Sequence, residues 1–217
     1  MGQKVHPISA RLVLNRAWSS RWMMPDEKQY VVALHQDVKL RKAILKKFAH
    51  AYVTKVEIER SISTLKVIIY AVKPGMIIGR GGKGLEEVRK LINEIVGEQS
   101  LKDSKTKVDF VIEPVKKPYL NATYVGMEIM NKIVRGLPHR RVVHQATAKV
   151  MEAGAKGVKV QLGGRIGGAS ISRREKFFLG SVPLSTLRQA IDYADTPALT
   201  KSGYVGVKVW IALPEEE

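Results

Sequence analysis

The chain has 217 residues, with 37 Lys and Arg against 20 Asp and Glu, and a formal net charge of +17 at pH 7. Such an excess goes beyond what solubility requires and points to polyanionic partners, while the absence of cysteine excludes disulfides, thiolate zinc sites and thiol nucleophiles. An aromatic content of 6% argues against a base-stacking platform of exposed Phe and Tyr, so grip by charge and backbone fits better.

The first 36 residues read as a basic segment: no acid precedes Asp26, and Lys4, Arg11 and Arg16 lie within it. Arg11, Asn15 and Arg16 break any secretory h-region. Pro7 and Pro25 interrupt a long amphipathic presequence helix. His6 stands where a myristoylation motif needs Ser or Thr. No apolar run approaches membrane-spanning length.

From residue 37 to 113 the pattern predicts one α+β domain. Asp37 is placed to cap a helix with Leu40, Ile44, Leu45 and Phe48 on one face and lysines and Arg41 outside. Strands follow at 53–60, with Val56 and Ile58 alternating against Glu57 and Glu59, and at 64–72, with Leu65, Val67, Ile69 and Ala71 in register. Pro74 starts a short apolar helical turn, PGMII. A helix then places Leu85, Val88, Ile92 and Ile95 on one face, with Gly97 to end it, and Val108, Phe110 and Ile112 form a third strand.

Between the two helices lies IIGRGGKGL, residues 77–85, with Gly79 and Gly82 three apart. Glycines there let a nucleic-acid backbone approach the loop amides, and Arg80 and Lys83 supply charge to phosphates. Gly79, Gly81 and Gly84 also match a dinucleotide-binding template, but that motif needs a strand running straight into the turn, and Pro74 and its helical turn intervene. A Walker A loop fails because Gly84 follows Lys83. The order of helix, strand, strand, helix, glycine loop, helix and strand resembles the KH fold in its type II arrangement. That resemblance implies RNA binding by Gly79, Arg80, Gly81, Gly82 and Lys83.

Pro114 and Pro118 in EPVKKPYL mark a hinge at 114–118. A second domain, 119–213, is predicted as two helices on a three-stranded sheet. Ala122, Val125, Ile129 and Ile133 keep helical spacing up to Gly136, and Pro138 suits the first turn of a helix carrying Val142, Ala146 and Val150. Strand patterns follow at Val158–Leu162, Ala169–Phe178 and Val205–Ile211, with the glycines of 163–168 at a hairpin turn, and residues 214–217 form an acidic tail.

Between Ile129 and Arg174 the only acid is Glu152, against a long series of basic residues. Arg140, Arg141 and His144 fall at i, i+1 and i+4 near the positive end of the second helix, a compact patch suited to phosphate. His139 and His144 lie five apart, on different sides of a helix, so no metal site is expected. Glu86 and Glu87 read as surface partners of Arg89 and Lys90. No pattern looks like an active site, and no cofactor is expected.

Around the KH core, the blocks MGQKVHP, GAKGVKVQLGGRIGGA, VPLSTLRQAIDYA and GVKVWI resemble, in order and over nearly the whole chain, the universal small-subunit ribosomal protein three family in its bacterial form. The resemblance implies a non-enzymatic, cytoplasmic constituent of the small ribosomal subunit's head. It further implies small-subunit ribosomal RNA, messenger RNA and small-subunit ribosomal proteins ten and fourteen as partners, with no membrane. The protein would line the messenger RNA entry channel and assist message unwinding. Carried over, Arg140, Arg141 and His144 would bind the message; from their charge, Lys4, Arg11, Arg16, Lys156, Lys159, Arg165 and Arg173 are expected to bind ribosomal RNA. His144 stands where the family usually has lysine, and a neutral imidazole offers less charge than an ammonium. A free-standing KH regulator would share the loop and charge but leaves the second domain's strand blocks without a reason. A DNA-lesion lyase, an activity associated with eukaryotic relatives, would need an activated lysine.

Overall fold

The computed structural model describes residues 4–61, 64–97 and 107–214. These form two compact units: one joins the N-terminal residues up to Ala17 to the chain from Lys117 onward, and the other is Trp18–Lys116. The expectation of a separate basic segment over 1–36 is therefore corrected. Its first part belongs to the C-terminal unit and the remainder to the KH unit.

The KH unit begins with β1 (Ser20–Arg21), α1 (Glu27–Lys47), β2 (Val53–Arg60) and β3 (Thr64–Ala71). It continues with α2 (Pro74–Ile78), α3 (Lys83–Gly97) and β4 (Lys107–Pro114). The sheet order is β1-β2-β3-β4, with β2 antiparallel to β3 and the outer pairs parallel. Leu40 and Ile44 of α1, Ile58, Val67 and Ile69 of the sheet, and Val88 and Ile92 of α3 share one buried core. This is the predicted element order, extended by the short β1.

The start of α1 differs from the sequence expectation. Asp26 is the N-cap, its side chain accepting from the Lys28 amide, and Asp37 lies mid-helix. Asp37 is buried and accepts hydrogen bonds from Arg60 at 2.6 and 2.9 Å, Trp22 Nε1 at 2.8 Å and Ser20 Oγ at 3.3 Å. Its carboxylate ties β1 and β2 to the helix, because a buried charge is tolerated only when paired and fully hydrogen-bonded.

The C-terminal unit contains α4 (Ala122–Val134), α5 (His139–Glu152), β5 (Gly157–Gly164), β6 (Arg173–Gly180), β7 (Ile191–Thr200) and β8 (Gly203–Ala212). Asn121 caps α4 by accepting from the Thr123 and Tyr124 amides. The sheet is four-stranded and antiparallel, ordered β6-β5-β8-β7, and this corrects the three-stranded expectation. The added strand, β7, is an edge strand containing Pro197, a position where a missing N–H is tolerated. Val158, Val160, Leu162, Val207, Val209 and Ile211 pack against Val125, Ile129, Val142, Ala146 and Val150 of the helices. Gly126 lets α4 lie close to β7, since a Cβ there would come within 2.7 Å of Thr196 Oγ1.

Candidate nucleic-acid interface

The glycine loop is built as a corner between α2 and α3. Gly79, Gly81 and Gly82 have φ of 70°, 64° and 78°, left-handed conformations that strain residues with a side chain. Arg80, Gly81 and Lys83 are exposed. Gly84 is needed for a different reason: a Cβ there would lie 1.9 Å from the Ile77 carbonyl oxygen, so no other residue lets α3 begin so close to α2. In the sequence Gly84 bears only on the dinucleotide and Walker A templates, and its steric role emerges from the fold. Beside the loop a shallow groove is lined by Ile78, Leu85, Phe110 and Ile112, with Arg89 and Asp109 supplying polar groups. Apolar lining with a few polar groups next to backbone-approach glycines suits a nucleotide strand.

In the C-terminal unit, Arg140, Arg141 and His144 are exposed on the first turns of α5. The Arg140 side chain is 74% exposed, with its Nε 3.9 Å from Glu175 on β6. Glu175 also contacts His139 Nε2 at 3.0 Å and Arg173 Nε at 2.9 Å. The imidazole of His144 lies edge-on to the Phe177 ring, 5.7 Å between centroids. Arg173, expected with the ribosomal RNA contacts, thus joins the α5 cluster through a carboxylate that the sequence reading did not single out. The pairing of α5 with an edge strand far along the chain carries no local signal.

Two residues expected to bind ribosomal RNA are engaged within the fold. Arg11 is 1% exposed, and its guanidinium donates to the carbonyls of Pro7, Leu184, Thr186 and Gln189 at 2.9–3.1 Å. Burial lowers its pKa from the usual arginine value. With four of its five N–H donors engaged and the side chain buried, Arg11 is a structural clasp that phosphate does not reach. Arg16 is paired with Asp192 at 2.9 Å, so its charge is largely met within the fold. The loop carbonyls answering Arg11 lie about 175 residues away in sequence, beyond any local pattern.

The other expected residues have different surroundings. Arg165 is exposed but donates to Ala169 O at 2.8 Å and Ser202 O at 3.3 Å, fastening its loop to the β7–β8 turn. Lys156 is exposed at the start of β5. Lys159 is half-buried on the sheet face away from the helices, its Nζ 5.7 Å from the Phe178 ring centroid and 5.0 Å from that of Trp210. Burial first, then the charges of Lys176 and of the exposed Lys4, lowers the Lys159 pKa. The fold therefore brings Lys4 and Lys159 together, and it places Arg165 in a separate loop.

Among the described residues, no group of His, Cys, Asp and Glu could hold a metal ion, and no helix is long and apolar enough to cross a membrane.

The KH domain family model matches residues 39–120, and the model described as ribosomal protein S3, C-terminal domain, matches residues 129–211. A small ribosomal subunit protein uS3 from Persephonella marina is 44% identical over 211 residues, covering 97% of this chain and 89% of the relative. Proteins of the same description from Enterococcus faecalis and Bacillus thuringiensis are each 44% identical, covering 97% of this chain and 92% of the relative. With both units accounted for and the alignments spanning almost the full length, the chain belongs to the uS3 family of RNA-binding small ribosomal subunit proteins.

Proposed function

We propose that the protein lines the messenger RNA entry channel in the head of the small subunit, with Arg140 and Arg141 holding the phosphates of incoming message and assisting its unwinding. The observation that carries this reading is the placement of both arginines, exposed, on the first turns of α5, where the helix N-terminus adds a positive field. Two further histidines flank them, His139 tied to Glu175 and His144 exposed. Ribosomal RNA is bound through the KH loop and the exposed basic residues of both units. Small-subunit proteins ten and fourteen are the neighbours implied by the family resemblance, and the bacterial cytoplasm is the setting.

The mechanism is one of shape and charge. A basic helix terminus tightens on phosphates without reading bases, so message passes in register while a hairpin at the entrance is held back. The energy for strand opening comes from ribosomal translocation. The test is translation of a message carrying a stable hairpin by ribosomes with Arg140→Ala and Arg141→Ala together. Slower passage with normal subunit assembly is expected, and unchanged passage would sink the assignment.

A further inference from the structure

We propose that the outer face of the C-terminal sheet is a second RNA platform, on which an unpaired nucleobase stacks against Phe178 while flanking phosphates sit over Lys159, Lys176 and Arg174. The inference deepens the ribosomal RNA-binding reading above and rests on it.

Strand register places Phe178, Lys159, Trp210 and Tyr193 in one row across β6, β5, β8 and β7. Lys159 lies between two rings of that row, and Trp210 packs against Tyr193 at 5.2 Å, which in turn meets the edge of His6 at 4.8 Å. Held from one side by the lysine, Phe178 remains 62% exposed, on an edge strand. An exposed ring beside a cation offers base stacking and phosphate contact side by side.

The next row holds Lys176, Gln161, Lys208 and Asp195, and the one beyond it Arg174, Gly163, Gly206 and Pro197. Asp195 is the only acid in these rows, and Lys208 lies 3.5 Å from it. Burial first, then the charges of Lys176 and Lys4, pulls the Lys159 pKa below the usual lysine value. This crowding of ammonium groups is repulsive until an anion joins them. Gly163 and Gly206 face each other in the ladder without positive φ, and a Cβ at either would meet nothing closer than 3.8 Å. Internal packing does not call for them, and bare backbone in mid-strand suits the close approach of another chain. The surplus of positive charge selects a nucleic-acid strand over a protein, and a free base face selects single-stranded RNA.

The experiment places a photoreactive residue, Phe178→p-benzoylphenylalanine, in the full chain assembled into small subunits, and identifies what is captured. Adducts to ribosomal RNA are expected; adducts only to a neighbouring ribosomal protein would overturn the proposal. In parallel, the free full-length protein is titrated with a short unstructured RNA and with an abasic strand of equal length. Phe178→Ala and Phe178→Leu should each weaken binding of the base-bearing RNA by about tenfold and leave the abasic strand unaffected. Equal affinity of wild type for both strands would remove the platform while leaving RNA binding by α5 and the glycine loop intact. Failure to bind either strand would remove both readings.

Discussion

Arg16 and Asp192 form an ion pair of 2.9 Å, and the other carboxylate oxygen of Asp192 accepts the Ala122 amide at 2.7 Å. One side chain of β7 thus holds the N-terminal segment with one oxygen and the first residue of α4 with the other. A carboxylate at a helix N-terminus satisfies an orphan donor and meets the positive end of the dipole. Asp192→Ala leaves both partners unmatched and is expected to lower unfolding free energy by about 2 kcal/mol. Urea unfolding of the full chain measures it.

The Arg11 clasp predicts a larger effect. Arg11→Ala strands four carbonyls that have a shared donor in the fold, and a loss of roughly 3 kcal/mol or more is expected. Arg11→Lys should recover only part of this, because an ammonium cannot reproduce the planar fork. Thermal unfolding of the two variants gives the comparison, and RNA affinity measured below the transition should stay near wild type.

These two arginines, one buried and one half-buried, show where sequence reading stops. β2, β3, α4 and α5 were legible because their apolar residues keep period two or 3.6 and face one core. The glycine loop was legible because its chemistry is local. Asp37 looked like a cap because aspartate favours that position, whereas its real partners, Trp22 and Arg60, are brought together by the fold. β7 escaped because Asp192, Asp195 and Pro197 depress strand propensity, and each finds its reason only in the sheet: a helix N-terminus, a cross-strand lysine and an edge. The 6% aromatic content is a true count. It gave no sign that Phe178, Trp210 and Tyr193 would line up with Lys159 in one row across the four strands.

Steric need distinguishes two glycines of the KH loop. Gly84→Ala drives a Cβ into the Ile77 carbonyl and should separate α2 from α3, with loss of several kcal/mol and of binding through the loop. Gly81→Ala has open space around its Cβ and meets only the strain of φ 64°, about 1 kcal/mol. Chemical denaturation of both variants ranks them.

The half-buried Lys159 predicts a pH dependence. Its folded pKa is lowered, so between that value and the ordinary lysine value of about 10.4 the unfolded chain binds more protons. Lys159 therefore opposes folding at neutral pH, and the penalty fades as pH rises through the window. Lys159→Met should be more stable than wild type at pH 7, with the two stability curves converging in alkali. The same variant should bind RNA more weakly.

Counting phosphates gives a further check. If Arg140 and Arg141 each neutralise a phosphate, removing both lowers the slope of log affinity against log salt for a single strand by about 1.4. Titration of the full-length protein with single-stranded RNA at several salt concentrations reads that slope. His144→Lys should steepen it by up to about 0.7, since a full ammonium replaces an imidazole.

The most direct test of the central claim is photocrosslinking from residue 141, carried out with Arg141→p-benzoylphenylalanine in ribosomes stalled on a defined message. Adducts to message nucleotides at the entry side are the expected result. Adducts confined to ribosomal RNA or protein, with message unlabelled, would contradict the account of α5 as the surface that holds incoming message.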